Sequence, residues 1–170
     1  MRTRNRVLGA VVLGTWLAVL AHAGGGPEEA LRTLLDGKRP LEDVVITYDV
    51  GNEYFDGRTL LTVLGEGLVQ LDHFKAGEKK HFEKALTTES VQMILKRMLN
   101  DRFWMAKAEP KEFPEPDTAQ VILRFNTKQE DVDCSVSMPV EETHTSKELQ
   151  KIVAVLRSLI RAVSDGEVQY

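Results

Sequence analysis

An α+β fold, with an antiparallel sheet of five to six strands and two or three helices packed mainly on one face, follows from three observations on the sequence. Periodic segments run in the order helix, three or four strands, helix, two strands, helix. The strands within each run are joined by turns too short for the crossovers a parallel sheet needs. The helical segments are amphipathic, so each has one face to bury.

Pro27-Glu28-Glu29 starts the first helix, because proline suits the first turn and acids favour the positive end of the helix dipole; Gly37 can end it. Leu31, Leu34 and Leu35 form its apolar stripe. From Asp43 the period shortens to two. Val44, Ile46, Tyr48 and Val50 alternate with Val45, Thr47 and Asp49, which gives a strand with one better-buried face. Gly51-Asn52 and Asp56-Gly57 bracket a turn region. Residues 59–64 and 68–74 then flank Gly65-Glu66-Gly67 as a hairpin, and a shorter strand around residues 81–85 would extend it.

Thr87 or Thr88 caps a second helix running to about Asn100, with Val91, Ile94, Leu95, Met98 and Leu99 on one face. Pro110, Pro114 and Pro116 make residues 109–117 a loop between two structural halves of one domain. Residues 119–126 and 132–138 form a second hairpin, in which Val132, Cys134, Val136 and Met138 share the inward face. Thr145-Ser146-Lys147-Glu148 has the capping-box arrangement, which predicts a last helix from Thr145. Its stripe is Leu149, Ile152, Val153, Leu156, Ile160 and Val163, and Asp165-Gly166 ends it.

The first 23 residues read as a signal peptide. Arg2, Arg4 and Arg6 precede an apolar run over residues 7–20, and Ala21-His22-Ala23 supplies the small residues a signal peptidase needs. The run is shorter than the roughly 20 residues required to cross a bilayer core, so cleavage rather than anchoring is expected. Residues 24–170 are expected to form a single domain in the periplasm or outside the cell. Losing the three arginines takes the basic residues from 22 to 19 against 26 acids, a formal charge of −7. That sign opposes nucleic acid and anionic membrane as partners, which select for clustered Lys and Arg. Cys134 is the only cysteine, so no disulfide can staple the domain.

Few residues offer chemistry. Asp72 and His73 are adjacent, but neighbours on a strand point to opposite faces and cannot form one dyad without a bulge. His81 lies among Lys79, Lys80, Glu83 and Lys84 and reads as a solvated surface residue, with no partner near it in sequence for a general base. Glu141, Glu142 and His144 are the most ligand-like cluster, yet they lack the spacing of a zinc motif. A solvated loop is expected there, and no metal or other cofactor. Asp131 and Asp133 share a face at a hairpin end, where edge charge is the simpler role. Nothing in the sequence near Cys134 lowers its pKa, so a structural thiol is expected. Tyr54 and Phe55 in the turn region, and Phe103 and Trp104 after the second helix, are the aromatic candidates for a partner contact, with burial in the core the leading expectation for Trp104.

The leader, the Gly-containing turn before "GLVQL", the Thr-capped helix closing on "RFW", the "PDTAQVILRF" strand and the final amphipathic helix together resemble small secreted bacterial domains of unknown function. One such family carries a cysteine-rich motif on its first strand, whereas residues 44–50 here contain no cysteine. The resemblance spans roughly residues 43–163. It implies a bacterial envelope protein without catalysis and supplies no functional residues.

The leading expectation is therefore a non-catalytic exported domain that binds a protein or peptide through the sheet face or an exposed edge. An alternative is a hydrolase or metal-dependent enzyme whose residues converge only in the fold, drawn from His73, His81, Asp131, Asp133, Glu141 and His144. A third is a small-ligand carrier, which requires a concave pocket of at least about 300 Å³.

Overall fold

The computed structural model describes residues 25–52, 57–108, 119–128 and 132–169. The expected signal peptide, Tyr54, Phe55, the expected loop over residues 109–117 and Asp131 lie outside them. Helix α1 (Pro27–Leu35) starts at its proline with Glu28 and Glu29 in the first turn, and buries Ala30, Leu31 and Leu34. A 3-10 turn (Leu41–Asp43) leads into a meander of β1 (Val44–Asn52), β2 (Gly57–Leu64), β3 (Leu68–Lys75) and β4 (Glu78–Ala85). Helix α2 (Thr88–Asp101) follows, capped by Thr87, whose hydroxyl accepts the Ser90 N–H at 3.3 Å. After a 3-10 turn (Phe103–Met105) come β5 (Gln120–Thr127) and β6 (Asp133–Pro139). Another 3-10 turn (Val140–His144) then precedes α3 (Gln150–Val163).

The six strands form one sheet in the order β4-β3-β2-β1-β5-β6, with every neighbouring pair antiparallel. The expected fold class is the observed one, and the strand at 81–85 is longer than its sequence suggests. Charged Glu78, Lys79 and Lys80 hide the start of β4 from a hydropathy reading, but cross-strand pairing with β3 extends it to the turn.

Alternation decides the core. Ile46, Tyr48 and Val50 of β1 face the helices in register with Val63, Leu61 and Thr59 on one side and Phe125, Leu123 and Val121 on the other. All nine are buried. The stripes of the three helices close over this face, and Leu34, Leu95, Met98 and Leu156 are almost fully buried in the same core. Burying one such side chain stabilises the fold by about 1.5–3 kcal/mol. The opposite face of the sheet carries no helix among the described residues.

Two expectations change. Helix α3 begins at Gln150, not Thr145: the Thr145 hydroxyl is turned back to donate to the Glu142 carbonyl at 3.0 Å, closing the preceding 3-10 turn. The Ser146 hydroxyl instead accepts from the Leu149 N–H at 3.2 Å, closing the turn that leads into α3. Cys134 sits on the inward parity but is only half-buried, because β6 is the edge of the sheet and has one neighbour instead of two. Burial raises its pKa, and the Asp133 carboxylate adds to the effect.

Gly65 in the β2–β3 turn is fixed by contact. A Cβ there would lie 1.5 Å from the Leu41 carbonyl oxygen, so only glycine lets the turn pass beneath the 3-10 segment.

Candidate functional site

Three places in the fold gather side chains that could act on something else. The first is where the helix layer stops. Leu61, Leu71 and Phe82 form a cross-strand row over β2, β3 and β4, and the next row on the same face is Thr59, His73 and Lys80. The face thus changes from apolar to polar within one register step. Beyond it lies a cavity of about 480 Å³, walled by Thr59, His73, Lys75, Glu78, Lys80 and the C-terminal Val168.

Thr59 is buried, and among the described residues its hydroxyl meets one partner, His73 Nδ1, at 2.8 Å. A buried hydroxyl satisfies its proton by donating it, and Nδ1 is the acceptor on hand. With the Thr59 hydroxyl as donor, the proton of a neutral ring is on Nε2. Burial holds the His73 pKa below its ordinary value, and the positive charges of Lys75 and Lys80 lower it further. The ring lines the mouth of a cavity with its neutral form favoured. On the rim, Lys80 donates to Glu167 at 2.8 Å. A narrower cleft of about 120 Å³ adjoins through Val168 and Gln169 and is lined by Arg157 and Arg161. Arg157 also neighbours the fully buried Tyr48 phenol, whose pKa burial raises and the guanidinium partly offsets.

The second place is a groove of about 570 Å³ between α2 and α3. Its floor is Leu86, Ile94, Leu159 and Ala162, and its lips carry Met93 and Val155, which are 63% and 38% exposed. Lys96 and Arg97 edge one side, and among the described residues no acid lines it. Arg97 contacts Asp101, one turn along, at 3.5 Å.

The third is the uncovered sheet face. Asp72 Oδ1 and His81 Nδ1 lie 2.7 Å apart across β3 and β4, with Lys79 3.2 Å from Asp72 and Glu83 3.3 Å from the far nitrogen of His81. Asp72 and Glu83 hold the proton on His81 and raise its pKa, while His81 and Lys79 lower that of Asp72. Elsewhere on this face Arg58 grips Asp49 and Arg124 grips Asp133, each through two hydrogen bonds. These networks leave the face largely self-satisfied.

The candidates of the alternative enzyme reading are dispersed. His73 faces the helices and His81 the open side, as strand alternation requires. Asp133 is on β6 at the opposite edge from β4, five strand spacings or about 24 Å away. Glu141, Glu142 and His144 ride the 3-10 turn after β6. Among the described residues, no three His, Cys, Asp or Glu side chains gather as a metal site would require. Of the aromatic candidates, Phe103 is in the core, edge-on to Phe125 at 6.5 Å between ring centres. Trp104 packs edge-on to Phe103 at 5.7 Å and is half-buried.

Neither a protein-family model nor a curated protein gives a significant match to this chain. The sequence reading missed the Asp72–His81 pair because its members are nine positions apart and meet only through strand register. It missed the Thr59–His73 pair for the same reason. A signal existed, since His73 continues the inward series Val69 and Leu71. No helix among the described residues is long and apolar enough to cross a membrane.

Proposed function

We propose that this protein is an exported, non-catalytic binding domain that receives an amphipathic helix of a partner protein in the groove between α2 and α3. The observation that carries this reading is the groove itself, an apolar floor with Met93 and Val155 left in water on its lips. Contiguous apolar surface of this kind is costly to expose and is characteristic of interaction sites. A furrow between two helices accepts a third through apolar anchors at positions i, i+3 or i+4, and i+7. Charge narrows the partner further. Lys96 and Arg97 make a basic rim on a chain that is acidic overall, so a helix with carboxylates beside its apolar stripe is complementary. Export rests on the arginine-led apolar leader and the Ala21-His22-Ala23 cleavage site, which direct the domain to the periplasm or beyond. The uncovered sheet face is a poorer surface for this role, because its charges already satisfy one another.

The test is site-specific photo-crosslinking in the exporting cell, with a benzophenone side chain replacing Met93 and, as a control, Thr62 on the sheet face. The expected result is a discrete adduct from position 93 that maps to an acidic amphipathic helix, is lost with Val155→Glu, and is absent from position 62. An adduct insensitive to Val155→Glu, equal capture from both positions, or no adduct from position 93 would overturn the proposal.

A further inference from the structure

The cavity beyond the helix layer presents an unusual set of groups on one wall. His73 offers a neutral Nε2–H, oriented by the buried Thr59 hydroxyl on the other ring nitrogen. Two positions along the same face of β3, Lys75 carries an ammonium with no ion-pair partner among the described residues. Lys80 lies across from His73 on β4 and is held by Glu167 at 2.8 Å. Ala76 and Val168 supply apolar surface. Glu78 stands directly across the hairpin from Lys75 and makes no ion pair among the described residues.

We propose that this cavity binds a small monocarboxylate, with His73 Nε2–H and the Lys75 ammonium on the carboxylate oxygens and the ligand's short apolar part against Ala76 and Val168. A planar carboxylate can accept from two separate donors at once, and a bond to an ammonium is charge-assisted and about twice as strong as a neutral one. Burial and the charges of Lys75 and Lys80 hold the imidazole pKa down, so its bond to the ligand is a neutral one and the charge-assisted bond comes from Lys75. Glu78 sets the selectivity. With Lys80 neutralised by Glu167, the Lys75 ammonium draws in one negative charge and the Glu78 carboxylate repels a second, so a dicarboxylate of the same size is disfavoured. The site lies at the C-terminal tail, away from the α2–α3 groove, and does not depend on that groove having a partner.

The test is titration of the purified protein with propionate, propionamide and succinate at constant pH and ionic strength, following the ring nitrogens of His73 by long-range proton–nitrogen NMR. Propionate is expected to shift the His73 Nε2 signal saturably. Propionamide and succinate are each expected to bind about tenfold more weakly, the equivalent of losing one charge-assisted bond. Lys75→Met, an exposed substitution, should weaken propionate by a similar factor, and Glu78→Gln should restore succinate. No saturable shift at His73, equal response to propionamide, or an unchanged propionate affinity in Lys75→Met would overturn the proposal.

Discussion

Asp72 and His81 are directly opposed on the uncovered face of β3 and β4, Oδ1 to Nδ1 2.7 Å, while the residue next to Asp72, His73, is turned to the other side and bonded to Thr59. One strand thus carries the partner of a histidine favoured as a cation and, one position on, a histidine favoured as a neutral ring.

The two rings should titrate in opposite directions from the ordinary value of 6.5: His81 above it, through Asp72 first and Glu83 second, and His73 below it, through burial first and the two lysines second. Because the folded pKa of His81 is raised, its pair with Asp72 stabilises the fold fully below 6.5 and loses that contribution as pH rises through the folded value. For His73 the folded pKa is lowered, so its contribution is present above 6.5 and lost as pH falls through the folded value. Asp72→Asn should therefore lower the melting temperature more at about pH 5.5 than at about pH 8.5. NMR titration of both rings, with thermal melts of the variant at the two pH values, checks the order and the sign. A variant whose loss is pH-independent would show that only the Lys79 contact matters.

Gly65→Ala should destabilise the domain by about 1–3 kcal/mol or more, the usual cost of forcing an extra methyl into filled space. The obstacle is backbone, the Leu41 carbonyl at 1.5 Å, and cannot rotate away as a side chain would. Gly37→Ala makes an instructive comparison. No atom would meet its Cβ within 4 Å, and the cost there is confined to the positive φ of 69°. Chemical denaturation of both variants separates crowding from backbone strain.

Trp104 should fluoresce as an indole at a protein surface and be accessible to iodide, at a rate below that of a free indole. Its ring is half-buried and packed against Phe103. Its N–H makes no hydrogen bond to a described residue, in contrast to a fully enclosed indole, which needs an acceptor. Trp16 is the other tryptophan of the chain, so a form begun at Gly24 would report Trp104 alone. Blue-shifted emission resistant to iodide would place the ring in the core instead.

Most of the fold was legible because its elements are marked by local chemistry. Period-two alternation from Val44 to Val50 and from Val132 to Met138, the Thr87 cap, and the Gly65-Glu66-Gly67 turn each act within a few residues. What depends on register was not legible. His81 reads as a solvated residue in a charged run until β3 places Asp72 opposite it. His73 reads as half of an adjacent pair until β2 supplies Thr59. The last helix begins five residues beyond the Thr145 that its capping box marks, because a capping box cannot show that Thr145 is already engaged by Glu142. The α2–α3 groove is a property of how two stripes meet and has no signature in either helix alone.

The sheet order also bears on how the chain reaches this state. β1 is built against β2 by a short hairpin, yet its other edge is closed by β5, which begins at Gln120 after all of α2. The meander from β1 to β4 needs only local contacts, whereas the β1–β5 ladder pays for closing a long loop and is expected to form late. Until then β1 is an edge strand. Its Val44-Val45-Ile46-Thr47-Tyr48 segment has high β-propensity and no charge or proline to discourage a second chain. The hazard of intermolecular association therefore belongs to the interval before β5 docks, and the finished molecule conceals it by making its stickiest strand the central one.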